Sequence, residues 1–442
     1  MGFTSLAQWL DWQESLHSQE IDLGLERIRL VAQKLFSIDD LPIVITVAGT
    51  NGKGSVSSML SSIYQRAGYK VGLYTSPHLQ HYNERICINN IPVTDEQICA
   101  SFERIDIARG DVSLTYFEFG TLAALDIFCL SGLDVVVLEV GLGGRLDAVN
   151  IAEPDVTIIS SIDLDHQSWL GNDRESIARE KLGVCRPNIP LVIGELDPPQ
   201  IVEQYCHQAQ IPLYRVRHEF AFQSAPLEAQ QQSSSHWQWL DRDESINALP
   251  LPNLRGEHQL INASVAIMAT RLLQKRLPVS VADIRKGLLS VNLSGRVQHI
   301  QDGERHVIVD VAHNPQSARV LSKSLQDLHV LGERVAILGM LNDKDLANTI
   351  GPMLGLIDRW FVVDLPPPRG ATAADLSAQL LSLGVSETRL VQSANVATAY
   401  EAYKSQSQAD DLLVIFGSFL TATEALTLLA DQLEEPMANL NG

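Results

Sequence analysis

The sequence predicts an α/β protein of two domains: a P-loop N-terminal domain with a parallel-rich central sheet, and a smaller Rossmann-like α/β C-terminal domain. Three observations predict this class. The chain has 442 residues, more than one hydrophobic core usually serves. Short β-branched or Leu-rich runs recur about a helix length apart in both halves, as they do in parallel sheets. A glycine-rich loop follows the first of these runs and opens a helical pattern.

The N-terminal half contains the first series of predicted strands. Its apolar runs are 43–47, 135–140, 156–160 and 191–194. Apolar residues then repeat at helical spacing after the first run, and Gly68 offers a stop. These residues are Val56, Met59, Leu60, Ile63 and Ala67. The segment is therefore predicted to form a strand, loop and helix unit.

The C-terminal half contains a second series of strands. Between the two series, from about residue 200 to 250, the composition changes to Gln, Ser and His, which predicts a peripheral insertion with exposed turns. A helical stretch at 257–273 follows, and the later apolar runs are 307–311, 335–339, 361–363 and 412–416. We expect one domain over 1–293, a second over 297–442, and a hinge at about 290–297, where Asn, Ser and Gly cluster.

The composition restricts the class of protein. A formal net charge of −20 argues against nonspecific binding to nucleic acid or anionic membranes, which depends on clustered Lys and Arg. Anionic substrates must therefore meet local positive charge. The 5 cysteines have no CxxC spacing, so they indicate neither a zinc site nor a disulfide framework. Without a long apolar run or a secretory signal, we expect a cytoplasmic protein. We also expect a monomer, which these features do not test.

The first glycine-rich loop has the features of a phosphate-binding loop. Its residues are Gly49, Thr50, Asn51, Gly52, Lys53, Gly54 and Ser55. Backbone N–H groups at the positive end of the following helix can converge on phosphate oxygens, while Lys53 reaches the β and γ phosphates and Ser55 helps to hold a metal. The strict P-loop pattern places Gly where this chain has Val47. The alternative is a simple glycine-rich turn.

Further motifs follow this variant loop in a fixed order. They are LYTSPHL at 73–79, NERI at 83–86, FEFGTLAAL at 117–125, LEVGLGGRLDAVN at 138–150, DHQSWLG at 165–171, SIAREKLGV at 176–184, SGR at 294–296 and DVAHNP at 310–315. Together they resemble the Mur ligase superfamily of ATP-dependent amide-bond ligases, over nearly the whole chain. IDLGLERI and SLTYFEFG resemble its folylpolyglutamate synthase and dihydrofolate synthase branch most closely.

The resemblance implies an ATP-driven ligase that activates a carboxylate as an acyl phosphate. It would join L-glutamate to dihydropteroate, which gives dihydrofolate, and to tetrahydrofolate-type folates, which gives polyglutamates. ATP and Mg²⁺ would be required, and a monovalent cation is left open. Three alternatives stay open: a murein-precursor ligase, which gives no reason for IDLGLERI; a P-loop ATPase without ligase activity; and an inactive binding protein.

Two residues at strand ends are candidate metal ligands. Glu139 ends the run VVVLEV, and open α/β sheets bind ligands at the carboxyl ends of their strands. His166 ends another run, although a lone His is as often structural. The resemblance implies that Ser76, Glu139 and His166 ligate magnesium, even though Mg²⁺ prefers oxygen ligands. It also implies that residues 50–53 hold the phosphates.

Lys181 has two opposed interpretations. From the residues alone it is a surface lysine on a helix that repeats Ile177, Lys181 and Val184. The resemblance implies that this lysine is carbamylated, because REK follows the DH motif at the family's spacing. Carbamylation would replace a cation by an anionic oxygen donor and would make Lys181 part of the catalytic set.

The resemblance also assigns binding residues. The segment Asp22 to Arg27 resembles the part that shapes the pterin pocket, although Tyr116 and Phe117 could simply be core. The implied pterin residues are His17, Ser18, Asp22, Thr75, Thr115, Tyr116 and Leu146. The implied nucleotide residues from the later part of the chain are Asn262, Arg296 and Asp310, with His313 near the phosphates. Lys344 and Ser418 carry only weak signals for glutamate binding.

Overall fold

The structure is a computed structural model that describes residues 3–19, 21–224 and 236–434. These residues form two compact units. Unit 1 contains the chain up to Asp163 together with 167–253 and 259–292. Unit 2 contains Leu164–His166, Leu254–His258 and the chain from Leu293 onward. The functional domain limits 1–293 and 297–442 stay a prediction.

Unit 1 is built on an eight-stranded sheet in the order β4-β3-β2-β5-β1-β6-β7-β8. Its strands are β1 (Ile43–Ala48), β2 (Val71–Tyr74), β3 (Ile86–Ile88), β4 (Ile91–Pro92), β5 (Val135–Glu139), β6 (Val156–Ile159), β7 (Leu191–Ile193) and β8 (Leu213–Arg215). The five pairs along β2-β5-β1-β6-β7-β8 are parallel, whereas β3 pairs antiparallel with both β2 and β4. The central strands are wholly buried because helices cover both faces.

The helices of unit 1 precede, separate and follow these strands. They are α1 (Leu6–Leu16), α2 (Glu26–Leu35), α3 (Lys53–Arg66), α4 (Asp95–Arg109), α5 (Tyr116–Leu130), α6 (Gln167–Leu170), α7 (Arg174–Leu182), α8 (Gln200–Gln208), α9 (His258–Leu272) and α10 (Val281–Ser290). Helix α4 begins with a capping box at Thr94, and α5 begins with one at Thr115. A side-chain oxygen at these positions satisfies a helical N–H group that has no intrahelical partner.

The insertion is narrower than the predicted span of about 200–250. Residues 200–208 form α8, and 213–215 form β8 of the main sheet. Val202 and Cys206 are buried, so this part belongs to the main core, which the polar composition did not reveal. A separate antiparallel sheet is formed by β9 (Phe220–Ser224), β10 (His236–Asp241) and β11 (Ser245–Pro250). Part of the predicted span, 225–235, lies outside the described residues.

Unit 2 is built on a six-stranded sheet in the order β12-β13-β17-β14-β15-β16. Its strands are β12 (Gln298–Asp302), β13 (Arg305–Val309), β14 (Arg334–Leu338), β15 (Arg359–Val363), β16 (Leu390–Ser393) and β17 (Leu412–Phe416). Its helices are α11 (Pro315–Gln326), α12 (Leu346–Ile350), α13 (Ala373–Ser382), α14 (Val396–Lys404) and α15 (Phe419–Glu434). All pairs except β12 with β13 are parallel.

The predicted α/β class is confirmed, because each unit has a parallel-rich sheet between helices. The strand predicted at 43–47 corresponds to β1, and the one predicted at 412–416 corresponds to β17. None of the described helices is long and apolar enough to cross a membrane.

We predict that Gly287→Ala destabilises the protein by about 1 to 3 kcal/mol, as overpacking does in well-packed cores. A Cβ atom at Gly287 of α10 would lie 2.6 Å from Ile63 Cα of α3, a backbone atom that cannot move alone. Chemical denaturation checks this. The matched control is Gly24→Ala, where a Cβ would meet nothing within 4 Å. Equal stability of the two variants would contradict the prediction.

Candidate active site

The phosphate loop connects β1 to α3 and depends on two glycines. Gly49 has φ +150°, and a Cβ there would come 2.0 Å from Ser160 Oγ. Gly52 has φ +85°, in the left-handed region, and a Cβ there would lie 2.8 Å from Asn262 Oδ1. Only glycine suits both positions. Asn262, which the sequence assigned to the nucleotide, therefore lies directly against the loop.

The loop is tied to the segment that follows β6. Thr50 N donates to Ser161 O at 2.8 Å, and Asn51 N donates to Ser161 Oγ at 2.9 Å. Thr50 Oγ1 and Asp163 also exchange two hydrogen bonds of 3.0 Å through the Asp163 backbone. In this structure the N–H groups of Thr50 and Asn51 are thus engaged within the protein. The residues after Asn51 contribute their N–H groups to the positive end of α3.

Lys53 lies over the loop that precedes it. Its Nζ donates to the carbonyl oxygens of Gly49 at 3.0 Å and of Thr50 at 3.2 Å. Ser55 is buried on the same turn and accepts from Gln259 Nε2 at 3.4 Å. Gln259 accepts in turn from Asn262 Nδ2 at 2.9 Å. A hydrogen-bonded chain therefore joins α9 to the first turn of α3.

Glu139 lies beside this loop at the edge of the main sheet. Its Cα is the register partner of Val47 on β1, so both strands end at the same edge. The residue is 4% exposed, and its carboxylate Oε2 accepts from Ser76 N at 3.3 Å. Ser76 follows β2, the neighbour of β5. Two of the three predicted metal ligands, Ser76 and Glu139, are therefore brought together.

The complete magnesium set stays a prediction. His166 is grouped with unit 2, whereas Ser76 and Glu139 belong to unit 1. Within the described ranges, no three or more His, Cys, Asp or Glu residues form a group that could hold a metal. The carboxylate and hydroxyl oxygens of Glu139, Ser76 and Ser55 nevertheless suit Mg²⁺, which usually keeps waters and phosphate oxygens as its other ligands.

Lys181 is not a surface lysine. It lies near the end of α7, and the whole residue is 3% exposed. The helix packs closely on the glycine-rich stretch after β5, because a Cβ on Gly144 would lie 3.1 Å from Lys181 O. A buried lysine is rare without a specific partner. The surface interpretation is therefore wrong, while carbamylation stays a prediction.

Several predicted pterin residues share one polar network. His17 contacts Ser113 Oγ through Nδ1 at 2.7 Å and Asp22 Oδ2 through Nε2 at 3.1 Å. Arg27 donates to the Asp22 carboxylate and pairs with Glu118 at 3.3 Å. Thr115 N donates to Glu118 Oε2 at 2.8 Å. Sequence reasoning missed Ser113 and Glu118, because neither role has a motif of its own.

The remaining pterin candidates are placed differently. Thr75 N donates to Arg85 O at 2.9 Å. Tyr116 and Leu146 are half-buried, and Ser18 is exposed without a described side-chain bond. Phe117 is half-buried, and its ring packs on Gly141, where a Cβ would lie 2.5 Å from Cζ. Phe117 therefore fits the interpretation as a core residue. The exposed Ser18 gives little support to a role in the pterin pocket.

Asp147 is a buried acid that the sequence argument did not single out, although it follows Leu146 in GRLDAVN. Its carboxylate accepts from Leu142 N at 2.8 Å and from Val149 N at 3.0 Å. Burial raises the pKa of Asp147 to about 6, although these N–H groups and the charge of Lys53 act in the opposite direction. The phosphate loop and the Gly141–Gly144 stretch are therefore electrostatically linked.

Three of the predicted nucleotide residues lie in unit 2. Asp310 follows β13 and accepts from Val297 N at 2.8 Å and from Ala312 N at 2.7 Å. Burial raises the pKa of Asp310, against the charge of Arg296. Arg296 lies over the Phe419 ring, 5.4 Å from its centroid. His313 contacts Val311 O through Nδ1 at 2.8 Å. Asn262 belongs to unit 1.

Asp165 contacts several polar and cationic side chains of unit 2. Lys344 Nζ donates to Oδ1 at 2.7 Å, Asn314 Nδ2 donates to Oδ2 at 3.0 Å, and His313 Nε2 lies 3.4 Å from Oδ2. Burial alone would raise the pKa of Asp165, but the hydrogen bond from His313 and the nearby cations hold it well below its ordinary value. His313 and Lys344 are thus fixed side by side on one carboxylate.

We predict that the stability of the wild type falls, relative to Asp147→Asn, as the pH rises from about 4 to about 6. The pKa of Asp147 is raised from 3.8 to about 6 in the folded state, so the folded state binds a proton in this window that the unfolded chain has lost. The pH-dependent difference should reach up to about 3 kcal/mol. Urea denaturation across the window measures it, and parallel pH profiles would contradict it.

Comparison with known proteins places this geometry in a family. Residues 47–270 match the family described as the Mur ligase middle domain, and residues 295–419 match the Mur ligase glutamate ligase domain. The dihydrofolate synthase/folylpolyglutamate synthase of Escherichia coli K12 is 42% identical over 424 residues, which is 96% of this chain and 95% of the relative.

Solved structures give the same result. The Escherichia coli FolC structure in complex with DHPP and ADP is similar with a TM-score of 0.90 and 41% identity, over 98% of this chain and 99% of that one. A bifunctional folylpolyglutamate synthase/dihydrofolate synthase with Mn, AMPPNP and L-glutamate bound is similar with a TM-score of 0.87 and 40% identity, over 97% and 98%. The chain therefore belongs to the Mur ligases, within the bifunctional dihydrofolate synthase/folylpolyglutamate synthase family.

Proposed function

We propose that this chain is an ATP-dependent ligase that adds L-glutamate to dihydropteroate, giving dihydrofolate, and to reduced folates, giving polyglutamates. The observation that carries the proposal is the position of the Lys53 loop beside Glu139 at one sheet edge. Relatives that match nearly the whole chain bear the names of both activities. Solved relatives bind DHPP with ADP, and L-glutamate with AMPPNP and Mn.

The residues of the loop fit a nucleotide triphosphate. Side chains at Gly49 and Gly52 would collide with Ser160 and Asn262, so glycine at both positions preserves the shape of the loop at the start of α3. The positive end of α3 and the Lys53 ammonium favour negative charge at the same place. Arg296, Asp310, His313 and Asn262 would contact the rest of the nucleotide. Mg²⁺, held by Ser76, Glu139 and His166, would neutralise phosphate charge.

The reaction has two steps. The carboxylate oxygen of the folate substrate attacks the γ-phosphorus of ATP, the bond to the β,γ-bridging oxygen breaks, and ADP leaves. Lys53 stabilises the charge on the transferring phosphoryl group. The glutamate amine then attacks the acyl phosphate carbonyl, phosphate leaves, and the amine loses a proton as the amide forms. Water must be excluded between the two steps, because it would hydrolyse the acyl phosphate.

The amino-acid substrate needs cations for its carboxylates. Lys344 Nζ lies 2.7 Å from Asp165 Oδ1, and His313 Nε2 lies 3.4 Å from Oδ2, so Lys344 and an imidazole are held close together. Ser418 is buried after β17, where Oγ lies 2.8 Å from Thr421 Oγ1. We propose that glutamate binds in unit 2 near Lys344, with Ser418 as a less direct candidate.

Location and assembly are also proposals. The five cysteines at 87, 99, 129, 185 and 206 form no disulfide, as expected for a reducing compartment. This supports a cytoplasmic location. A monomer and a role for a monovalent cation are proposed on the family resemblance alone.

ADP release measured with dihydropteroate, with tetrahydrofolate and with a murein precursor, each with and without L-glutamate, tests the proposed function. The two folate substrates should support glutamate-dependent ADP release and amide formation. Activity with the murein precursor alone would favour a murein ligase. ADP release that needs no acceptor would indicate an ATPase without ligase activity.

We predict that Lys53→Ala lowers the rate of both reactions by at least about 10²-fold, because it removes the cation that contacts the transferring phosphate. The same ADP assay measures this, and circular dichroism checks that the variant is folded. Lys70→Ala is the control, since Lys70 Nζ only contacts Ser131 O at an exposed site. Near-normal turnover by folded Lys53→Ala would contradict the prediction.

We predict that Lys181→Ala loses activity that short carboxylic acids partly restore, because they can occupy the position of a carbamate. An unperturbed lysine, with a pKa of about 10.4, is almost wholly protonated at neutral pH, whereas carbamate forms from the neutral amine. Lys181→Arg should fail, since it keeps a cation where an anion is required. Turnover with and without added acetate measures both effects. A fully active Lys181→Arg enzyme would refute carbamylation.

A further inference from the structure

Arg85 is a buried guanidinium in unit 1 that the proposed mechanism does not use. It is the last residue of the 3-10 turn Tyr82–Arg85 and immediately precedes β3. The residue is 9% exposed. Its Nε donates to His78 Nδ1 at 2.8 Å. The guanidinium carbon lies 5.3 Å from the Tyr82 ring centroid and 5.5 Å from that of Tyr116, so two aromatic rings flank the cation.

The charge of Arg85 is not balanced by an acid. Among the described residues, no Asp or Glu forms an ion pair with it. The adjacent Glu84 carboxylate is directed to the backbone instead, where it accepts from the N–H groups of Leu79, Gln80 and His81 at 2.7 to 2.8 Å.

A buried cation of this kind favours an anionic ligand. Leaving water costs a guanidinium several hydrogen bonds, and two tyrosine rings compensate only part of that loss. Because Nε is engaged by His78, the two terminal nitrogens are the ones left to present parallel N–H donors, the geometry that matches a carboxylate. Neither terminal nitrogen belongs to the buried side-chain atoms that lack a hydrogen-bond partner.

The surroundings of Arg85 indicate which anion it meets. Thr75 N donates to Arg85 O at 2.9 Å, and the next residue, Ser76, donates to Glu139. Tyr116, which flanks the guanidinium, opens α5 directly after its cap at Thr115. Arg85 is thus fixed between the predicted pterin residues Thr75, Thr115 and Tyr116 and the sheet edge that carries Glu139.

We propose that Arg85 binds a carboxylate of the folate substrate. The inference rests on the proposed function, since it assigns a contact to the same substrate. Two carboxylates share this chemistry: the reacting one, which dihydropteroate and reduced folates both carry, and the non-reacting α-carboxylate, which only the glutamyl group of a reduced folate carries. Kinetics with the two substrates separate these sources.

The test compares Arg85→Met, which removes the charge at similar length, with Arg85→Lys, which keeps the charge but loses the paired donors. Arg85→Met should raise KM for the folate substrate about 10- to 100-fold, the scale of a lost charge-assisted pair. Arg85→Lys should recover part of that loss. KM for ATP and glutamate should change little. Arg29→Met, at an exposed site on α2, is the matched control.

The pattern of effects decides the outcome. A rise in KM for both dihydropteroate and tetrahydrofolate assigns the reacting carboxylate, and a rise for tetrahydrofolate alone assigns the α-carboxylate. Unchanged KM for both substrates in folded Arg85→Met overturns the proposal. So does an equal loss of binding for 6-hydroxymethyl-7,8-dihydropterin, a pterin without a carboxylate, because that would mean a distorted pocket.

A binding measurement separates this proposal from the proposed function. Thermal stabilisation by dihydropteroate and by the carboxylate-free pterin is recorded for the wild type and for Arg85→Met. If the wild type releases no ADP with folates, the proposed ligase activity fails. The proposed role of Arg85 is still supported if Arg85→Met abolishes the extra stabilisation by dihydropteroate and leaves the stabilisation by the neutral pterin unchanged. The proposal is overturned if dihydropteroate and the carboxylate-free pterin each stabilise Arg85→Met as much as they stabilise the wild type.

Discussion

The close approach of the backbone at Gly49 to Ser160 is the constraint on which the arrangement of unit 1 depends. Because no Cβ fits there, the loop after β1 can lie directly on the segment after β6 and exchange hydrogen bonds with Ser161 and Asp163. That contact fixes where α3 begins. The helix start in turn sets the position of Lys53, and the strand register brings Glu139 to the same edge. The positions of Lys53 and Glu139 thus depend on one close backbone contact that only glycine permits.

Charge in this acidic protein is organised locally. Its net charge of −20 is unsuited to anionic substrates, yet cations occupy the important interior positions. Lys53 lies near Asp147, while Lys344 and His313 share Asp165. Arg85 is flanked by tyrosines rather than by an acid. The first two arrangements hold a cation by an internal anion, and the third leaves the anion to be supplied by a ligand. Surface acidity and interior positive charge are therefore compatible.

Local patterns predicted much of the fold and part of the site. The loop at 49–55 and the strand that ends at Glu139 could be found because glycine requirements and apolar runs are properties of neighbouring residues. Asp147 and Arg85 could not, because their importance comes from burial. Asp165 could not, because its partners in the second half of the chain are distant in sequence. Lys181 shows the same limit, since helical spacing suggested a surface that the packing of α7 removes. The insertion was drawn too wide because α8 and β8 have few apolar residues, although Val202 and Cys206 of α8 are buried in the main core.

The hairpin of β3 and β4 has a consequence for how the chain behaves among other proteins. It ends the eight-stranded sheet at one side with a strand of two residues, Ile91 and Pro92, both exposed. A proline has no N–H group to donate, and so short a strand offers little for another chain to pair with. A long parallel sheet with a bare edge would be a template for aggregation during synthesis. The two-residue strand β4 therefore limits strand pairing with another chain at this edge of the sheet.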